Sequence, residues 1–295
     1  MKPKLYVYDI GETKRQTTFG NFKGIGNIGQ FFIQSYFRSK VELSGKKFYP
    51  MWTASGKDVY DNYFIREHIN LDEYDLVLLL PEDFKYEKYH YSWYSDENIL
   101  AVKTYYKLND AFCQRCELIR NNLGNPVISY QIRETDKVDE SNPPMASVFY
   151  HDHFVKNNLD KNNVFVCSDS EYTLNILKNT FSNVVCLDTI RSNNFLPLHL
   201  FTHLEDNIRQ QTTEVQMIDS LMQEIYMLSQ CNIVYYGLWS GILGFIKILN
   251  SNLHVRHLNE DLQFSEREQK IVNFYGNYIE KIWKHFINNS WIWKD

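Results

Sequence analysis

The chain has 295 residues, more than a single hydrophobic core usually organises, so two domains are the natural expectation. With 44% hydrophobic, 16% aromatic and 23% charged residues it is no disordered chain, and a net charge of −5 gives no general attraction to a polyanion, which excludes nucleic acid as the main partner. Its apolar runs are too short for a signal sequence or a bilayer span, so no transmembrane segment is expected and the chain reads as cytoplasmic, or as a catalytic domain apart from its anchor.

In chain order, KLYVYD at 4–9 alternates like a first strand, and GIGNIGQFFIQSYFRSK at 24–40 repeats Ile28, Phe31, Phe32 and Tyr36 at helical spacing. YDLVLLL at 74–80, followed by Pro81, has the pattern of a buried parallel strand. Residues 98–118 predict one long amphipathic helix with Val102, Tyr105, Tyr106, Leu108, Phe112 and Cys116 inward; Gly124 and Pro126 stop it and mark a domain border near 125. VISY at 127–130, NVFVCSD at 163–169, NVVCLD at 183–188 and NIVYY at 232–236 read as strands alternating with helices, among them 221–228 and 242–249, and from Glu266 the pattern is helical. The fold expected is α/β, with residues 1–125 as one half and 126–295 as the other, the last helix packing back on the first.

Five cysteines, an odd number spread through helices and strands, do not form a disulfide framework, and the CxxC of Cys113 and Cys116 lies inside helical pattern with no second ligand pair for zinc. His151 and His153 read as a polar helix N-terminus rather than a metal site, and no metal is expected.

GIGNIG at 24–29 satisfies GxGxxG, yet a dinucleotide fold requires the first glycine directly after a strand and a carboxylate ending the next strand. Here 14 residues intervene, and KKFY at 46–49 runs into Pro50 and Met51. Gly24, Gly26 and Asn27 either present backbone N–H groups to a ligand or form a tight connection to the helix.

SYQIRETDKVDES at 129–141 leaves a strand at its carboxyl end, where ligands bind in α/β sheets, and carries Arg133 there. A guanidinium fork holds a diphosphate bidentately and stabilises the charge that builds as it leaves, the role of a transferase residue. By charge pattern alone the same loop also reads as a solvated turn. Asp169, after VFVCS, either contacts a nucleotide or caps the following helix; Ser240 offers an anion site at a helix N-terminus or a plain N-cap. Glu224 either hydrogen-bonds a base or ribose or occupies an ordinary exposed helix position. Trp239, Trp291 and Trp293 suit sugar stacking but also a core or domain interface.

IRETDKV resembles the HVRRTDKV motif of the α1,6-fucosyltransferases, and more loosely the HxR element of other GDP-fucose enzymes, including the bacterial nodulation fucosyltransferases. Downstream and in the same order, FVCSDSEYTLNILKNTF at 165–181 resembles the family's strand, T/S-D turn and helix, and EIYMLSQCNIVYYGLWSGI at 224–242 its D-x-x-x-LSQ, strand and F-S-S segment. GIGNIGQFF is similar to the family's first-domain glycine segment, so the likeness spans most of 24–250. It places Asp169 at the motif aspartate, Glu224 at the acidic position and Ser240 at the second serine. Gln131 stands where the family has His, Glu134 where the α1,6 enzymes carry a second Arg, and Ser141 where the proposed catalytic Glu falls, with Glu140 and Asp139 just before it.

The resemblance implies a GT-B-like architecture, two Rossmann-like domains facing across a cleft, the second holding GDP-fucose and the first meeting a glycan or glycoconjugate acceptor. It implies an inverting, metal-independent glycosyltransferase with no cofactor beyond its GDP-sugar donor, Arg133 on the diphosphate and Glu140 as the base. Lys137 then pairs with that carboxylate or with phosphate, or is a surface lysine. Two alternatives stand beside this: a degenerate nucleotide-sugar-binding protein without transferase activity, supported by Gln131, Glu134 and Ser141, and a glycosyltransferase using another sugar nucleotide.

Overall fold

The computed structural model describes residues 2–11, 14–17, 20–23, 28–80, 96–133, 147–157, 159–191, 213–237 and 240–258. The chain forms two compact units, Met1–Arg115 with Gln211–Met222, and Cys116–Gln210 with Gln223–Asp295.

In the first unit, strand β1 (Lys4–Asp9) precedes a short antiparallel hairpin, β2 (Lys14–Thr17) and β3 (Gly20–Lys23), within the stretch the sequence left without elements. Helix α1 (Gly29–Leu43) follows, then β4 (Lys47–Met51), the small hairpin β5 (Thr53–Ala54) and β6 (Lys57–Asp58), and β7 (Asp75–Leu78). Strands β4, β1 and β7 form a parallel sheet in that order, with Leu5 opposite Lys47 and Leu76. Against expectation β7 is an edge strand among the described residues, and Leu76, Leu78 and Leu80 are 53, 56 and 48% exposed. An apolar run gives a strand its length and not its neighbours.

The core of this unit is aromatic. Phe31 meets Trp52, Phe64 and Tyr106 edge-on at 4.9–5.5 Å, and Tyr63 lies 5.4 Å from Phe112. Gln34, buried on the same helix face, donates from Nε2 to the carbonyls of Tyr8 (2.8 Å) and Met51 (3.1 Å), while its Oε1 accepts from the Tyr106 hydroxyl. A buried amide with both ends used is neutral to slightly favourable, and it ties α1 to β1 and β4.

The single helix expected over 98–118 is two: α2 (Asp96–Tyr105) and α3 (Asp110–Asn122). Between them the backbone pairs with residues 63–65, Ile65 N–H donating to Lys107 O at 2.8 Å and Asn109 N–H to Tyr63 O at 2.9 Å. Asn109 Oδ1 then accepts from Phe112 N–H at 2.7 Å and starts a new helix. Apolar spacing continues across the break because both helices bury the same side, and only the tertiary pairing shows the interruption. Helix α3 ends as expected: Gly124 takes φ +75° and Asn125 φ +51°, and their N–H groups return to Asn121 O and Arg120 O, both at 3.0 Å. Cys113 and Cys116 both lie within α3.

The second unit continues with β8 (Ile128–Ile132), α4 (Ser147–Lys156), β9 (Val164–Ser168), α5 (Glu171–Thr180) and β10 (Val184–Val185). It closes with α6 (Glu214–Ser229, shared with the first unit), β11 (Ile233–Tyr236), α7 (Gly241–Leu249) and β12 (His254–His257). All five strands are parallel, in the order β10-β9-β8-β11-β12. The chain thus starts in the middle, winds outward through β9 and β10, and returns to wind the other way through β11 and β12. The α/β fold with parallel sheets expected from the sequence is the fold observed.

One face of this sheet packs Tyr130, Ile132, Val164, Val166 and Tyr235 against Tyr150 and Phe154 of α4 and Leu174 and Leu177 of α5. Helix α7 buries Ile242, Leu243, Phe245, Ile246 and Ile248, the all-round apolar pattern of an enclosed helix. His151 and His153 lie within α4, not at its start, because the helix begins earlier, at Ser147. His153 is fully buried, its Nδ1 in a 2.7 Å hydrogen bond with the Tyr130 hydroxyl.

Candidate functional site

In a doubly wound sheet the strand order reverses between two neighbours whose following connections diverge, and the crevice opens at their carboxyl ends. Here those neighbours are β8 and β11. The residues at that end are Gln131 of β8 with Arg133 just beyond it, Tyr236 of β11 with Gly237 just beyond it, and Ser240 where α7 starts.

Gln131 sits in register between Tyr236 on β11 and Cys167 on β9. It is 1% exposed, and among the described residues its Oε1 has no hydrogen-bond partner. Ser240, 5% exposed, occupies the N-cap position of α7 in extended conformation, but its hydroxyl makes no capping bond and is likewise buried without a partner among the described residues. A plain N-cap hydroxyl would accept from an N–H of the first turn, and an unmatched buried polar group costs about 1–3 kcal/mol. Both lie beside the switch point.

Arg133 directly follows β8, and its Nε lies 3.5 Å from Asp169 Oδ2 just beyond β9. The Arg133 side chain is 23% exposed, within reach of a ligand yet already oriented by a carboxylate. Asp169 does not cap α5. Ser170 does, its Oγ accepting from Thr173 N–H at 3.4 Å, and Ser168 Oγ closes the same turn by donating to Ser170 O at 3.0 Å. With capping assigned to Ser170, the Asp169 carboxylate is left facing Arg133.

Glu224 is not an ordinary exposed helix position. Its side chain is 13% exposed and lies 3.7 Å from Arg191, while the Thr189 hydroxyl approaches the same oxygen at 3.5 Å. Burial pushes the Glu224 carboxyl above its ordinary pKa, against the opposing pull of Arg191 and a hydrogen bond with Cys167. Burial, reinforced by Glu224, drives the Cys167 thiol well up, so it stays protonated and is no nucleophile. Arg191 donates to three carbonyls: Ser168 O at 3.1 Å, Thr189 O at 3.0 Å and Leu187 O at 2.8 Å.

The structure therefore gathers Gln131, Arg133, Asp169 and Ser240 at the ends of β8, β9 and β11, and joins Glu224 to the end of β9 through Arg191. Gly24, Gly26, Asn27, Lys137, Glu140, Trp239, Trp291 and Trp293 lie outside the described residues, as does the helix expected from Glu266. Sequence reasoning passed over Arg191 and Thr189. The available signal was an Arg a few residues past the strand-like NVVCLD, the same placement as Arg133, but nothing in the pattern showed that it turns inward. Among the described residues no helix is long and apolar enough to cross a membrane, and no cluster of three or more His, Cys, Asp or Glu side chains is placed to hold a metal.

No protein-family model and no curated protein matches the chain. Its structure is similar to that of NodZ alpha-1,6-fucosyltransferase co-crystallised with GDP, at 11% identity over 85% of this chain and 93% of that one, with a TM-score of 0.51. It is similar also to fucosyltransferase NodZ from Bradyrhizobium, at 10% identity over 85% and 94% of the two chains, with a TM-score of 0.50. POFUT1 in complex with GDP aligns at 10% identity over 87% and 98%, with a TM-score of 0.47. At such identities the likeness to NodZ shows the fold: α/β with parallel sheets, in the form found in that fucosyltransferase.

Proposed function

We propose that the chain is a glycosyltransferase that moves fucose from GDP-fucose to a hydroxyl of a glycan or glycoconjugate with inversion, and that the end of the second unit's sheet holds the donor. The observation that carries the reading is the switch point between β8 and β11, where Arg133 and the unmatched Gln131 and Ser240 side chains converge. The ordered motifs of the sequence, the fold of NodZ and the GDP bound in that neighbour's crystal agree with it.

In this scheme Arg133 binds the diphosphate and stabilises the charge that develops as GDP leaves, so a cation fixed by the protein supplies the electrostatic stabilisation. Asp169 holds the guanidinium in place before the donor arrives. Ser240 and the N-terminus of α7 offer a hydroxyl and backbone N–H groups to an anionic oxygen. The acceptor oxygen attacks the anomeric carbon from the face opposite the phosphate, the carbon–phosphate-oxygen bond breaks, and the hydroxyl proton passes to a carboxylate, for which Glu140 is the candidate.

The test is a calorimetric titration with GDP and GDP-fucose, repeated on Arg133→Ala. Selective GDP binding, weakened about tenfold or more in the variant, is expected from the loss of a charge-assisted hydrogen-bonding group worth about 1.5–3 kcal/mol. Unchanged affinity in the variant removes the mechanism. The departures Gln131, Glu134 and Ser141 favour a second reading, a binding protein without turnover; GDP binding with no GDP-fucose consumption across a broad acceptor panel would establish it. Competition by other sugar nucleotides would expose a different donor.

A further inference from the structure

Arg191 is nearly sealed, its side chain 4% exposed, and it is anchored on both sides. Nε donates to Ser168 O at the last residue of β9, Nη1 to Thr189 O and Nη2 to Leu187 O. The same Nη2 faces Glu224 Oε1 of α6 at 3.7 Å, and Thr189 Oγ1 approaches that oxygen too. One guanidinium thereby joins the strand end that carries Asp169, the segment after β10, and the helix that carries Glu224.

From this geometry we infer that Arg191 is a positioning residue of the donor site: it fixes the end of β9 against α6 and keeps the Glu224 carboxylate available as a charged hydrogen-bond acceptor for the N–H or O–H groups of a nucleotide's base or ribose. The inference rests on the donor-site reading above. Three main-chain carbonyls satisfy donors of the buried guanidinium, and a buried ion pair by itself is weak support for stability. The arrangement instead serves a carboxylate that burial would neutralise. The ionisable groups facing Glu224 are Arg191 from the 187–191 segment, Cys167 at the end of β9 and Asp169 beyond it, with the Thr189 hydroxyl beside them. Arg191 is the only one of these that carries positive charge. Without it Glu224 faces burial and Asp169 with no opposing cation, and its carboxyl takes up a proton at higher pH than in the intact protein.

The test is the dissociation constant of GDP at pH 6 and pH 8 for the wild type, Arg191→Met and Arg191→Lys, each variant divided by the wild type at the same pH so that the ligand's own titration cancels. For Arg191→Met the ratio is expected to be at least about fivefold larger at pH 6 than at pH 8, since a site controlled by one protonation changes by up to about tenfold per pH unit. Arg191→Lys, which retains the charge, should show a nearly flat ratio. A merely structural Arg191 would weaken binding equally at both pH values, and that result would overturn the inference while leaving the donor site intact. Should Arg191→Met fail to fold, Glu224→Gln carries the test: several-fold weaker GDP binding supports the inference, and wild-type affinity overturns it. Failure of the wild type to bind GDP removes the donor-site reading and this inference together.

Discussion

At the end of β1 the buried Asp9 carboxylate accepts from the N–H groups of Gly11 at 2.9 Å and Thr53 at 2.8 Å; at the end of β8 the buried Gln131 amide oxygen accepts from no group among the described residues. Both residues lie near the carboxyl end of a central parallel strand. In the first unit the polar groups near the strand ends are used up by the fold, as with Asp9, with Gln34 bridging Tyr8, Met51 and Tyr106, and with the Tyr8 hydroxyl donating to Gln30 Oε1 at 2.5 Å. In the second unit Gln131, Ser240 and the Arg120 Nε are left unmatched among the described residues, and the charged pairs Arg133–Asp169 and Arg191–Glu224 are drawn inward. Among the described residues of the first unit the exception is the Trp52 indole N–H, buried without a partner among aromatic rings. Buried polarity that the fold consumes is structural, and the unmatched groups at the end of β8 and the start of α7 are those the proposed donor site would use.

The sharpest way to break this contrast is Trp52→Ala. It empties the aromatic core of the first unit and should destabilise the protein by about 3–5 kcal/mol, read by denaturant unfolding. GDP affinity of the folded fraction should hardly change. Next comes Tyr106→Phe, which strips Gln34 Oε1 of a buried donor; a loss of about 1–3 kcal/mol in the same assay is expected.

Gly124→Ala should cost about 1–2 kcal/mol, because the residue has φ +75° and a Cβ there would lie 2.2 Å from Asn163 Nδ2, a movable side-chain atom. Gln131→Met tests the opposite side of the contrast: folding stability should hold or rise by up to about 1–3 kcal/mol, since the lost acceptor has no partner among the described residues, while GDP binding weakens several-fold. A large loss of stability would show that Gln131 serves the fold after all.

The smallest effect is on pH dependence. Burial raises the Glu224 carboxyl's folded-state pKa, so the folded chain binds that proton more tightly than the unfolded one. Its contribution is therefore most favourable at acid pH and is lost as pH climbs from the ordinary carboxylate range through the raised value. Glu224→Gln should flatten that part of the ligand-free melting profile, and an unchanged profile would mean that Glu224 titrates normally.

Much of this molecule was legible in its residues. Strand β1, helix α1, the helix stop at Gly124 and the alternation that builds the second sheet follow from local spacing and turn chemistry, and Arg133, Asp169 and Ser240 stood out because strand ends can be located from pattern alone. Less could be seen where one element's fate depends on another. The 98–118 helix breaks because Lys107 and Asn109 pair with Ile65 and Tyr63, YDLVLLL becomes an edge strand because of which neighbours it finds, and Glu224 is buried where Arg191, 33 positions earlier in the chain, turns inward to meet it. Periodicity and capping are encoded over a few residues, so the sequence by itself determined the fold class and the strand ends where a ligand would sit. Strand order, burial of charge and the partners left unmatched arise between residues distant in the chain, so only the tertiary structure decided them.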